Sequence, residues 1–396
     1  MLRRVLVFVC CFLLYSCSGD REDAILPKKG FGLRKASFSE LNGWQKDDAL
    51  LFDKTIKSVC TKVLATKDNK LKSNYFEYAL KDYKKHCLNI EKIENNLELK
   101  EYIKENFVPY AVVFNGNEFG KFTSYYEAEI RASFVKDKKY RYPIYGKPND
   151  LIEFNLKEFD KSLPNKRYVG RVKDGKLVKY YSRRDIDFSG IDAPVILWGD
   201  NIVDIYLMQI QGSAVAVLPD GKTIRVGYAD NNGHSFRGIG SILLEKGLIK
   251  PKDASMDKIR KWLNKKGDVA IKNMQLNDRY IFHKIVEADG PIGAMGVPLY
   301  AGRGLAVDRD YIPLGTILWL ETDSPIGKIN KLVVAEDVGS AIKGAIRGDY
   351  FWGSGENALK YAGKMNAKGK YFVMLPKKSK VVVYGRWKLE WGNKRY

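Results

Sequence analysis

A mainly β chain with a helical N-terminal region is predicted by three observations. Short apolar runs bounded by Gly, Pro, Asn and Asp recur between residues 110 and 384, the pattern of strands. Between residues 39 and 106 the apolar residues instead fall at helical spacing. Pro219-Asp220-Gly221-Lys222 sits between two strand-like runs and reads as the turn of a hairpin. The chain has 396 residues, enough for two or three domains at ~150 residues each. With 45% hydrophobic and 29% charged residues it has the balance of a globular protein that buries a sizeable core.

Taken in order, residues 18–36 are polar and basic and read as a tether. Leu41, Leu50-Leu51, Ile56, Val59 and Val63-Leu64 mark a first helical stretch. Tyr75 to His86 and Glu98 to Asn106 read as further helices, and Pro109 ends the pattern. Strands are expected at Tyr110–Phe114, Val195–Trp198, Ile205–Ile210 and Ala214–Leu218, with a hairpin inside 205–228. Ser241–Lys246 and Met256–Lys265 read as a helical insertion, with Ser255 as a natural N-cap. Strands then resume at Tyr280–Phe282, Ile317–Leu320, Leu332–Ala335, Tyr371–Leu375 and Val381–Tyr384.

Several chemistries are excluded by inspection. His86, His234 and His283 stand far apart, and neither H-E-x-x-H nor C-x-x-C occurs. There is no G-x-S-x-G elbow and no Walker loop, and Gly238 and Gly240 lack the third glycine of a dinucleotide loop. No metal and no cofactor is implied. The net charge is +21, and the last 20 residues carry seven Lys or Arg against one Glu. An acidic polymer, an anionic surface or a lysine-rich composition each accounts for this charge, whereas no nucleic-acid recognition motif is visible.

Arg3 and Arg4 precede an apolar run from Val5 to Leu14, followed by Tyr15-Ser16-Cys17. The run is too short to span a bilayer, which needs ~20 residues, and has the layout of a secretory signal over residues 1–16. Leu14-Tyr15-Ser16-Cys17 resembles a bacterial lipobox, so Cys17 is the expected lipidation site and outer-membrane lipid an expected partner. Ser18, rather than an acidic residue, follows Cys17 and favours the periplasmic face of the outer membrane. Cys60 and Cys87 remain as a pair, either two buried thiols or, in an oxidising compartment, a disulfide.

Acidic residues of the C-terminal third stand in chemically suggestive places. Asp308 lies in Leu305-Ala-Val-Asp308, Asp337 ends an apolar run, and Asp349 precedes Tyr350-Phe351-Trp352. An Asp among aromatics is desolvated, which raises its pKa towards that of a proton donor near neutral pH. From composition alone the competing reading is an Asp that caps a turn.

Five segments, in order, extend this reading. Phe122-Thr-Ser-Tyr-Tyr126-Glu127-Ala128, Gln209-Ile-Gln211-Gly212-Ser213, Arg225-Val-Gly-Tyr228 with Asn232-Gly233-His234, Leu305-Ala-Val-Asp308, and Asp337-Val-Gly-Ser-Ala-Ile-Lys-Gly344 with Arg347-Gly-Asp349 resemble the membrane-bound lytic murein transglycosylase A family. Ser124, Ala128 and Gly304 depart from the pattern, which has Gly, Pro and Ser there.

The resemblance implies a double-psi β-barrel with a second β-rich domain inserted into it and a groove between them. On that basis residues 37–122 hold the helices and the first part of the barrel, 123–278 the insert, 279–376 the rest of the barrel, and 377–396 a basic tail. The implied activity is that of a peptidoglycan lytic exotransglycosylase, which cuts the β-1,4 bond between N-acetylmuramic acid and N-acetylglucosamine without water and leaves 1,6-anhydro ends. The sequence itself leaves open whether cleavage starts at chain ends. Asp349 is the implied acid/base and Asp337 its support. Tyr126, Glu127, Gln209, Gln211, Gly212, Ser213 and Trp352 are implied sugar contacts. Asp308 reads as structural first and as a groove residue second. Peptidoglycan strands and other murein synthesis or degradation proteins are the implied partners. Two rivals stay open: a non-catalytic wall-binding lipoprotein, and a hydrolase using a second carboxylate such as Glu127 or Asp337.

Overall fold

The computed structural model describes residues 24–25 and 30–384. The signal segment, Cys17 and residues 385–396 lie outside the described residues.

Six strands close into a ring. In order around it they are Asn366–Pro376, Ile317–Ser324, Gly327–Asp337, Gly304–Val307, Arg347–Ser354 and Gly120–Ser133, which returns to the first. Closure rests on the antiparallel pairing of residues 366–369 with 123–120. Two pairs in the ring are parallel, Gly304–Val307 with Gly327–Asp337 and Arg347–Ser354 with Gly120–Ser133. A closed ring leaves no barrel edge to recruit another chain. Both faces of these strands are buried: Leu318, Val333 and Val373 share one face and Trp319, Leu332 and Phe372 the other, all at 0% exposure.

The N-terminal part packs on this barrel. Strand Phe107–Phe114 lies against the same edge of Asn366–Pro376 as Gly120–Ser133 does, and Phe31–Lys35 pairs with it in turn. Helices Phe52–Ala65, Leu80–Ile90 and Asn96–Asn106 cover one end. Phe52, Ile56, Val59 and Val63 form the buried face of the first of these, at the i, i+4, i+7, i+11 spacing of an amphipathic helix. Cys60 and Cys87 are joined as a disulfide, with Cα atoms 5.0 Å apart, tying the first helix to the second.

Two expectations are corrected. Residues 75–86 are not one helix: Phe76–Ala79 is a strand between Lys70–Lys72 and Val381–Val383, and the helix starts at Leu80. Residues 205–210 are not a strand. They lie in helix Ile202–Gln211, capped by the Asn201 side chain, which accepts from the Val203 and Asp204 amides, and ended by Gly212 at φ 91°. That helix is buried on nearly all sides, so its apolar residues run together and hide the helical period. The expected hairpin is present, turning at Pro219–Lys222 between Ala214–Val217 and Thr223–Asn231.

Strand Gly120–Ser133 links barrel to insert without a break. Residues 121–127 pair with the barrel strand Arg347–Ser354, and 128–131 pair in parallel with the insert strand Ala214–Val217. The insert adds Tyr142–Tyr145, Val195–Gly199, Thr223–Asn231 and Ile281–Val286 to this sheet system, with helices Ile202–Gln211 and Met256–Lys266 beside it. A separate three-stranded sheet, Ile152–Asn155, Arg167–Lys173 and Lys176–Lys179, projects from it.

Candidate active site

A cleft of about 680 Å³ lies between barrel and insert. The barrel contributes Asp337, at the end of strand Gly327–Asp337, and Asp349, near the start of Arg347–Ser354. Thr123, Ser124 and Tyr125 come from the shared strand. Gln209, Gln211, Gly212 and Ser213 come from the C-terminal end of helix Ile202–Gln211 and the turn after it. Arg279 and Lys284 add positive charge on the insert side.

Asp349 is held by a short relay. An Arg347 guanidinium nitrogen donates to the Thr123 hydroxyl at 2.7 Å, so that hydroxyl's own proton is directed at Asp349 Oδ1, to which it hydrogen-bonds. Oδ2 is then the oxygen left to carry a proton. Burial pushes the Asp349 carboxyl above its ordinary range, with Asp337 adding to the rise, while Thr123 and Arg347 oppose it. Asp337 accepts from the Tyr125 hydroxyl at 2.8 Å and from the Ala294 and Val338 amides at 2.9 Å. Burial outweighs these donors, so its carboxyl is raised too. Tyr125 is raised well above the usual phenol range by burial, then by the charge of Asp337.

Behind this wall stands Glu336. It is 0% exposed and neither carboxyl oxygen has a hydrogen-bond partner. Burial, with Asp337 adding to it, raises its carboxyl well above the ordinary range. Gly304 makes room for it: a Cβ there would sit 2.8 Å from Glu336 Oε1.

The remaining sequence-derived residues divide. Gln209, Gln211, Gly212 and Ser213 line the cleft as a helix end rather than as a strand. Gln211 Oε1 accepts from the Tyr126 amide at 3.3 Å. Tyr126 is 6% exposed and packs in the insert core with Ile130 and Leu197. Glu127 is 1% exposed and paired to Arg225 through bonds of 2.8 and 3.2 Å. Trp352 wedges between the barrel and insert cores, edge-on to Tyr350 at 5.0 Å. None of these three lines the cleft.

Asp308 is 4% exposed and accepts from the Gly344 amide at 2.8 Å and from Lys343 at 3.4 Å. It fastens the loop before Arg347 and lies outside the cleft lining. Sequence reasoning missed Thr123 and Arg347 as site residues, although both stand inside the quoted motifs. Their signal was position: Thr123 is the register partner of Asp349 on the adjacent parallel strand, and Arg347 stands two residues before Asp349 on its own strand. Among the described residues no group of three His, Cys, Asp or Glu is placed to hold a metal ion.

Comparison with known proteins gives a consistent result. The model of the MltA specific insert domain matches residues 121–284, and that of the 3D domain matches residues 303–375. The chain is 32% identical over 268 residues to the membrane-bound lytic murein transglycosylase A of Escherichia coli K12, covering 64% of this chain and 65% of that protein. The aligned region therefore spans just under two thirds of that relative. Among solved structures, the chain is similar to MltA from Neisseria gonorrhoeae (TM-score 0.79, 27% identity, 91% of this chain and 97% of that one). It is also similar to the membrane-bound lytic murein transglycosylase from Agrobacterium tumefaciens (TM-score 0.76, 29% identity, 87% and 97%). With the insert domain at 121–284 and the 3D domain at 303–375, this chain belongs to the family that joins an MltA specific insert to a 3D barrel.

Proposed function

We propose that the chain is a lytic transglycosylase that cleaves the β-1,4 bond between N-acetylmuramic acid and N-acetylglucosamine in peptidoglycan and leaves a 1,6-anhydromuramyl end. The observation that carries this reading is Asp349: a carboxyl on a cleft wall, raised by burial, with one oxygen engaged by Thr123 and the other free. A proton donor near neutral pH needs a raised pKa.

One such acid is enough for this reaction. Asp349 protonates the leaving glycosidic oxygen, and the C1–O bond breaks. The muramyl C6 hydroxyl, tethered to the same sugar ring, attacks C1 in place of water, and Asp349 takes up its proton. Intramolecular attack supplies a high effective concentration of nucleophile. Asp337, held by Tyr125, sustains the raised pKa of Asp349 and stands ready to offset positive charge developing at C1. Glu127 is withdrawn into an ion pair with Arg225, which weighs against a hydrolase built on it.

The six-stranded ring is read as the double-psi barrel, the cleft as the glycan groove, and Gln209 to Ser213 as sugar contacts. Cys17 is read as the acylated anchor in the outer membrane. No helix among the described residues is long and apolar enough to cross a membrane.

The test is mass spectrometry of fragments released from purified sacculi by the protein and by Asp349→Asn. Anhydromuramyl products, lighter than reducing-end products by one water and lost with the variant, are expected. Reducing-end products would establish a hydrolase instead. Retained binding to sacculi without release would establish a wall-binding protein.

A further inference from the structure

The three-stranded sheet that projects from the insert has two unlike faces. Register places Phe154 opposite Tyr168, and Val172 opposite Leu177, on one face. The other face carries Val169, which packs against Tyr280, Phe282 and their neighbours and lies against Gly233. The first face therefore points away from the body. It is apolar and uncovered: Ile152 is 38% exposed, Val172 56% and Leu177 49%, and Phe154 stacks on Tyr168 with ring centres 5.6 Å apart. Helix Leu156–Phe159 follows the first strand and carries Phe159 at 80% exposure. A contiguous uncovered apolar surface of this kind marks an interaction site.

Charge identifies the occupant. Residues 152–179 hold eight Lys or Arg against four Asp or Glu. Lys157, Lys161, Lys166 and Lys179 are all exposed, Lys179 on the face of Leu177, and Lys166 lies over the Tyr168 ring at 5.3 Å. Exposed Phe, Val and Leu ringed by lysine heads fit the boundary between anionic headgroups and acyl chains. We propose that this face docks on an anionic lipid bilayer. The contact goes beyond the reading above and does not depend on the acylated cysteine.

The test uses the full acylated chain with a nitroxide on Val172→Cys, its other retained cysteines being bonded or acylated. The protein is mixed with vesicles of phosphatidylethanolamine and phosphatidylglycerol. A second label on Ile326→Cys, 61% exposed on a barrel turn, is the reference. The expected result is a several-fold rise in collision with oxygen over a water-soluble nickel chelate at residue 172 and none at 326. It should disappear on vesicles without phosphatidylglycerol and when Lys157, Lys161, Lys166 and Lys179 are changed to Gln. If the protein stays on the vesicles with residue 172 in water, the docking face is refuted and the anchor stands. If nothing is retained, both fail. If residue 172 is shielded in solution without vesicles, a second copy covers the face and the proposal falls.

Discussion

Arg303 and Gly304 are chain neighbours, yet they serve opposite arrangements. On one side the Arg303 guanidinium clasps Asp47 through bonds of 2.8 and 2.9 Å, and both side chains are essentially unexposed. Asp47 also accepts from the Leu332 amide at 2.9 Å and the Ala49 amide at 3.1 Å. On the other side Gly304 faces Glu336, whose two oxygens meet nothing polar. Burial would raise both carboxyls; the bond to Arg303 and its charge hold Asp47 below its ordinary range, whereas Glu336 stays raised. Where the barrel joins its N-terminal cap, each buried charge is answered. At the cleft lip, carboxyls are left raised, which suits proton transfer and costs stability.

The contrast can be broken most forcefully at the answered pair. Arg303→Met should leave Asp47 buried and unpaired, lowering unfolding free energy by about 3–5 kcal/mol in urea titrations. The folded pKa of Asp47 is depressed, so its contribution is present above its unfolded pKa and lost as pH falls through the folded value. The variant should lack that acid-side slope. A change under 1 kcal/mol would mean the pair is idle.

Glu336→Leu should act in the opposite direction, raising stability by about 1–3 kcal/mol through removal of an unpartnered polar group. The folded pKa of Glu336 is raised, so its contribution is present at acid pH and lost as pH rises through the folded value. The gain should therefore grow towards alkaline pH. A destabilised variant with unaltered pH dependence would show that Glu336 is not the cost assigned to it.

The smallest effect belongs to the relay. Thr123→Val removes the donor that favours the ionised form of Asp349. The alkaline limb of the pH–rate profile should move up by about 1 in pH, with kcat reduced about tenfold. An unshifted limb would remove Thr123 from the site.

Much of this arrangement was legible in the sequence, for local reasons. Strands such as Ile317–Ser324 and Asn366–Pro376 announce themselves as apolar runs between turn residues. Helix Ile202–Gln211 did not, because a helix buried on nearly all sides has no polar stripe. Its caps, Asn201 before and Gly212 after, were the readable signal. Asp337 and Asp349 stood out through their neighbours in sequence. Glu336, one residue away from Asp337, could not be read as unpartnered, because that depends on Gly304 across a parallel pairing. Tyr126 and Glu127 look like Tyr125 in the motif, but only Tyr125 lines the cleft. Proximity in a motif does not settle which way a side chain faces.

Strand Gly120–Ser133 gives the cleft an axle. The same rod bears Thr123, bonded to Asp349, and a few steps along it the ladder that carries the insert. Side chains on such a rod alternate at every step, so its phase is fixed by counting residues. Inserting one residue between Tyr126 and Ala128 would turn the whole insert ladder out of phase with the barrel while leaving every cleft side chain chemically intact. The rod's length is therefore as much a part of the site as any carboxylate, and a variant that keeps all the polar residues but changes that count should lose the cleft.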